Sequence, residues 1–168
     1  MNLFSKILLK EESGNDASDA WLAPARENKA VIAQKNDEMP DEPVSLFGFD
    51  LGDGESSVAW TRSDTYAAPL LMEVTGRKSI ITALGETEDD ILIGDDAYMC
   101  DPKRLYVRFK SRYLKKPEQI RPIISKFASK VYSELLKTGK LDDKSRFFVG
   151  CPSGWKDAYR ERYKKIFL

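Results

Sequence analysis

The spacing of apolar residues along this chain changes twice, and the changes divide it into three stretches. Residues 1 to about 45 open with a small amphipathic piece, Leu3, Phe4, Ile7 and Leu8, then turn acidic, poor in large apolar residues and interrupted by prolines. Such a composition offers little apolar surface to offset ordering entropy, so it predicts a flexible linker or extension. The first nine residues fit a helix docked on the domain as well as they fit a partner-binding segment.

From residue 46 to about 94 the pattern is that of strands. Leu46-Phe47-Gly48-Phe49-Asp50-Leu51 is apolar and aromatic, and Ser57-Val58-Ala59-Trp60-Thr61 follows a Gly-bearing turn through Asp53, Gly54 and Glu55. Together they predict a hairpin. Residues 79–84 and 90–94 predict a third and fourth strand around the polar turn from Gly85 to Asp89.

Beyond residue 95 the period lengthens. Pro117 and Gly139 bracket Ile120, Ile123, Ile124, Phe127, Val131, Leu135 and Leu136, which share one helical face. Arg146-Phe147-Phe148-Val149-Gly150 predicts a buried strand, and a last helix from about Lys156 aligns Tyr159, Tyr163, Ile166 and Phe167. Antiparallel strands followed by helix, strand and helix predict an α/β domain, a mixed sheet flanked by helices.

Composition then narrows the chemistry. The 168 residues hold 27 basic and 27 acidic side chains, yet 8 basic and 21 acidic residues lie up to Pro102, a net −13, and the rest carries +13. Histidine is absent, which excludes Ser-His-Asp and Cys-His catalysis and HExxH zinc sites. Cys100 and Cys151 lack CxxC spacing and read as reduced thiols. No apolar run approaches the length of a membrane span, so a cytoplasmic protein without membrane contacts is expected.

The sharpest local signal is the turn after the first strand. An acid at a strand end, followed by glycines that free backbone N–H groups, suits a phosphate and metal cradle: Asp50 would hold Mg²⁺ through water, and Gly52 and Gly54 would let backbone approach phosphate. The same residues also fit an ordinary acidic hairpin turn.

Gly48-Phe49-Asp50-Leu51-Gly52-Asp53-Gly54-Glu55-Ser56 resembles the first phosphate motif of the DnaK-type heat-shock chaperones, within the actin-like ATPase superfamily. Four further pieces follow in the same order as in that family: Ser79-Ile80-Ile81-Thr82-Ala83, Ile91 to Ala97, Tyr106-Val107-Arg108-Phe109, and Phe148 to Trp155 leading into Tyr159-Arg160. The resemblance covers residues 46–168. It implies a ribonuclease-H-like fold, of which this chain is the first lobe, and ATP hydrolysis with Mg²⁺ coupled to client polypeptides and co-chaperones through other regions. By position it implies that Asp50 is the metal-associated, catalytic carboxylate and that Gly52, Asp53, Gly54, Glu55 and Ser56 lie under the phosphates of ATP or ADP. Arg108 takes the place of the catalytic lysine, and Pro152 that of an interlobe switch; a one-residue gap nominates Lys110 instead of Arg108.

Asp53, Gly54 and Glu55 stand where the family has threonines and often asparagine. A carboxylate 5 Å from a phosphate oxygen costs roughly 3 kcal/mol at an effective dielectric near 20, so weak or altered nucleotide binding is expected. Nothing after Leu168 supplies the second phosphate motif, so the chain alone is expected not to hydrolyse ATP. Three alternatives stand beside this reading: a scaffold with the ATPase fold but no catalysis, a two-metal nuclease, and a nucleic-acid binder. The nuclease lacks an acid at the end of the 146–150 strand. The nucleic-acid binder would use Lys103, Arg104, Arg108, Lys110, Arg112, Lys115 and Lys116 interleaved with Tyr106, Phe109 and Tyr113. A solvated basic face accounts for that run more simply.

Overall fold

In the computed structural model, which describes residues 7–10, 42–152 and 154–167, the elements run in chain order as β1 (Ile7–Lys10), β2 (Ser45–Leu51), β3 (Glu55–Arg62), β4 (Leu70–Leu71), β5 (Ser79–Ile81), β6 (Ala83–Glu86), β7 (Ile91–Ile93), β8 (Leu105–Val107), α1 (Phe109–Tyr113), α2 (Pro117–Leu136), β9 (Arg146–Gly150) and α3 (Asp157–Lys164). Short 3-10 turns occupy Gly94–Met99 and Pro102–Arg104.

The predicted hairpin is the middle of the larger sheet. β2 and β3 pair antiparallel with Phe49 opposite Val58, and the order across the sheet is β1-β9-β2-β3-β4, with β5 also on β3. β9 runs parallel to β2 and β1 parallel to β9, whereas β4 and β5 are antiparallel to β3. Successive strand residues point to opposite faces. Phe47, Phe49 and Leu51 are therefore buried while Gly48 and Asp50 are exposed. A second, antiparallel sheet has the order β7-β6-β8.

α2 forms as its spacing predicts. Ile120, Ile124, Phe127, Ala128, Val131 and Leu135 are all buried, each large side chain contributing on the order of 2 kcal/mol of hydrophobic stabilisation. Pro117 occupies the first turn, where its missing N–H leaves no bond unmade. Gly139 takes a left-handed conformation (φ 67°) just past the end and stops the helix. The helices cover the sheet face that carries Phe47, Phe49 and Phe147: Tyr132 packs on Phe147 at 5.7 Å and Phe167, after α3, meets Phe49 edge-on at 6.4 Å.

Three expectations change. Ile7 and Leu8, expected on a helix or a partner-binding segment, lie in β1, where the open edge of β9 supplies backbone hydrogen-bond partners; residues 1–6 and 11–41 of the expected extension lie outside the described residues. The third strand, expected over 79–84, is two strands in different sheets. Its break falls at Thr82, whose N–H donates to the Gly54 carbonyl and whose hydroxyl pairs with that of Ser56. β4, β8 and α1 are additional elements, too short for hydrophobic periodicity to reveal. Among the described residues no helix is long and apolar enough to cross a membrane.

Candidate functional site

Asp50 is exposed near the end of β2, and its neighbour β9 runs in the same direction. The carboxyl ends of two parallel strands thus meet at this carboxylate. Gly150 lies directly beside it: a β-carbon there would sit 3.8 Å from Asp50 Oδ1, at ordinary van der Waals contact. Asp50 and Gly150, with Gly48, Ser57, Ala59 and Phe148, line an open concavity of about 270 Å³ on the sheet face away from the buried phenylalanines. In open α/β sheets, ligands bind outside the carboxyl ends of the strands.

The rest of the turn is engaged within the chain. Asp53 Oδ1 accepts the backbone N–H of Ser111 at 2.9 Å, satisfying a donor in the first turn of α1. Glu55 Oε2 accepts from the Ser79 hydroxyl at 2.8 Å. Ser56 is buried, and its hydroxyl lies 2.7 Å from that of Thr82. Both turn carboxylates expected to repel phosphate thus have hydrogen-bond partners elsewhere, and the Ser56 hydroxyl faces the interior. Gly52 meets a requirement of the turn itself, since a β-carbon there would lie 2.1 Å from the Glu55 carbonyl oxygen.

Arg108 joins β8 to α1 with left-handed backbone, φ 49°, a conformation that costs a non-glycine residue about 1 kcal/mol or more. The Ser111 hydroxyl and Arg112 Nε both donate to its carbonyl at 3.2 Å, and Arg112 Nη2 donates to the Val107 carbonyl. Because α1 follows Arg108 directly and Asp53 holds α1, the chain brings the Asp53 turn and the Arg108 junction together.

Pro152 lines a second concavity, of about 280 Å³, with Asp53, Lys110, Ser111, Leu114 and Trp155. Behind it Tyr163 is fully buried among Tyr113, Trp155 and Phe167, and its hydroxyl has no hydrogen-bond partner among the described residues. Burial first, then the nearby Cys151, Asp50 and Tyr113, push that phenol far above its ordinary range, so it stays protonated. The sequence marks Tyr163 only as an apolar-face residue; nothing local signals its nearness to Asp50.

The basic stretch looks different in three dimensions. Phe109 and Tyr113, offered as stacking platforms for bases, are 0% and 2% exposed and belong to the core. Lysines on α2 and at its C-terminal cap have their own partners: Lys126 pairs with Glu86 at 2.6 Å, Lys130 with Asp90 at 2.9 Å and Lys137 with Glu134 at 2.7 Å. Compared with known proteins, the chain matches no family model and no curated sequence.

Proposed function

We propose that the chain is the first lobe of a ribonuclease-H-like, actin-like ATPase domain of the heat-shock-chaperone kind, facing a nucleotide with Asp50. The observation that carries this reading is the placement of Asp50 beside Gly150 at the carboxyl ends of parallel strands. A mixed sheet with a helix between its antiparallel part and β9 is compatible with that reading.

The donor set can be tested against the cofactor. Mg²⁺ bound with nucleotide keeps several waters and takes one or two carboxylates plus phosphate oxygens, not an all-protein cage. Asp50 is exposed and able to meet that requirement. A bound Mg²⁺ would neutralise phosphate charge; Asp50 would orient its waters, and the backbone of Gly52 and Gly54 would approach the phosphates. Arg108, on its strained junction, would supply positive charge near the transferred phosphate, and Pro152 would pass the state of the turn to a second lobe. In this reading ATP turnover and the folding of client polypeptides, with co-chaperones, belong to the complete two-lobed protein.

A scaffold that has lost catalysis is the second reading. It is favoured by the internal partners of Asp53, Glu55 and Ser56, which leave that loop few side chains to offer a phosphate. Calorimetric titration of the 168-residue chain with Mg-ATP separates the two. The first predicts saturable binding with a Kd of about 1 mM, weakened about tenfold by Asp50→Asn and by chelation of Mg²⁺. No binding up to about 10 mM nucleotide, or binding indifferent to Asp50 and to Mg²⁺, would leave the scaffold.

A further inference from the structure

Several of the described cations have partners: Lys126, Lys130, Lys137 and Lys144 each meet a carboxylate, and Lys140 lies 3.9 Å over the ring of Trp60. Arg108, Lys115, Lys116 and Arg121 are exposed and enter none of the ion pairs among the described residues. Arg108 directly precedes α1, Lys115 and Lys116 follow it and Arg121 lies early in α2, within fourteen consecutive positions whose one acid is Glu118.

Beside them is an apolar floor. The concavity containing Pro152 is lined by Leu114, which is 41% exposed, and by Trp155, whose ring stacks on Tyr113 at 5.8 Å. Its carboxylate, Asp53, already accepts the Ser111 N–H. Lys110 also lines this depression, and Lys115 and Lys116 follow Leu114 directly in the chain. An apolar depression beside cations selects for an apolar side chain flanked by negative charge.

We propose that this face docks an acidic segment of a partner polypeptide, with one apolar side chain seated against Leu114, Pro152 and Trp155 and carboxylates on Lys115, Lys116 and Arg121. Acidic polypeptide is favoured over single-stranded nucleic acid because base stacking needs exposed ring faces. Of the rings in this region Phe109 is 0%, Tyr113 2% and Trp155 9% exposed, and Tyr106 is half-buried. Asp50 takes no part; Asp53 and Pro152 belong to both faces, so the test turns on Leu114, Lys115 and Lys116, which the nucleotide reading does not use.

The probe is a fluorescent twelve-residue peptide of Asp and Glu with a central Trp-Leu pair, titrated against the full chain by anisotropy beside a labelled oligothymidylate and a peptide in which Ser replaces Trp-Leu. Saturable peptide binding is expected, weakened about tenfold by Lys115→Glu with Lys116→Glu, by Leu114→Asp, by loss of Trp-Leu, and by raising salt to about 0.5 M. Circular dichroism melts check that the variants stay folded; the lysines are exposed and Leu114 half so, which makes unfolding an unlooked-for result. Tighter binding of the oligothymidylate would overturn the proposal in favour of nucleic acid. Binding unchanged by the charge reversals or by Leu114→Asp would overturn it, as would binding only after Asp16→Asn and Asp19→Asn, since the chain's own acidic stretch would then be the occupant.

Discussion

Gly52 and Gly54 look interchangeable in the sequence, two glycines of one turn beside acids, and both were reasonable candidates for letting a phosphate approach the backbone. Their surroundings separate them. A β-carbon on Gly52 would lie 2.1 Å from a backbone oxygen, which cannot swing aside, whereas one on Gly54 would meet nothing within 4 Å. Gly52→Ala is therefore expected to lower stability by about 2–3 kcal/mol, as overpacked sites do, and Gly54→Ala to change it by less than about 0.5 kcal/mol. Urea denaturation of the two variants checks this, and equal losses would show the turn to be less constrained than its geometry implies. The partners of Asp53 and Ser56 lie beyond local reading. Asp53 bonds to a backbone N–H 58 residues away and Ser56 to a hydroxyl 26 away, so no pattern within the turn distinguishes a carboxylate aimed at phosphate from one that satisfies a helix end.

Elements whose sequence carries a full period were legible. α2 shows five turns of apolar spacing with Pro and Gly at its ends, and β2 alternates over seven residues. The 79–84 run was legible as extended but not as broken, because the break at Thr82 is made by contacts with the β2–β3 hairpin. α1 was hidden by its five-residue length and its cations. Lys126 and Lys130, one turn apart on α2, reach Glu86 of β6 and Asp90 just before β7, tying the second sheet to the helix. The Lys130 ammonium, aided by the Ile91 N–H, holds the Asp90 carboxyl below its ordinary value of 3.8. A carboxyl whose folded pKa is depressed contributes stability that is present above the unfolded value and lost as pH falls through the folded one. The melting temperature of Lys130→Met should therefore trail the parent by a small, constant margin above pH 5, and the margin should close below pH 3.8. A margin independent of pH would mean that Lys130 acts through its aliphatic stem.

For the whole molecule, net neutrality conceals two oppositely charged parts, −13 up to Pro102 and +13 after it. The fold brings these parts into contact, since Lys126–Glu86, Lys130–Asp90 and Lys144–Glu42 each join a cation of the second part to an acid of the first. Lys144 holds the Glu42 carboxyl below its usual range and is itself raised by it, so both are fully charged near neutrality. Opposing these attractions is repulsion among Arg108, Lys115, Lys116 and Arg121, which enter none of the ion pairs among the described residues. Paired charges are in contact at 2.6–2.9 Å, while the unmatched ones are exposed and well solvated, so attraction dominates at low salt. Raising salt from about 20 mM to about 300 mM, which cuts the screening length from roughly 20 Å to roughly 6 Å, is expected to lower the melting temperature by about 2–4 °C. The opposite sign would mean that repulsion within the basic stretch outweighs the pairs. In that case Lys115→Gln with Lys116→Gln should raise the melting temperature at low salt and lose the advantage at high salt, a result obtainable on the same instrument with the same two buffers.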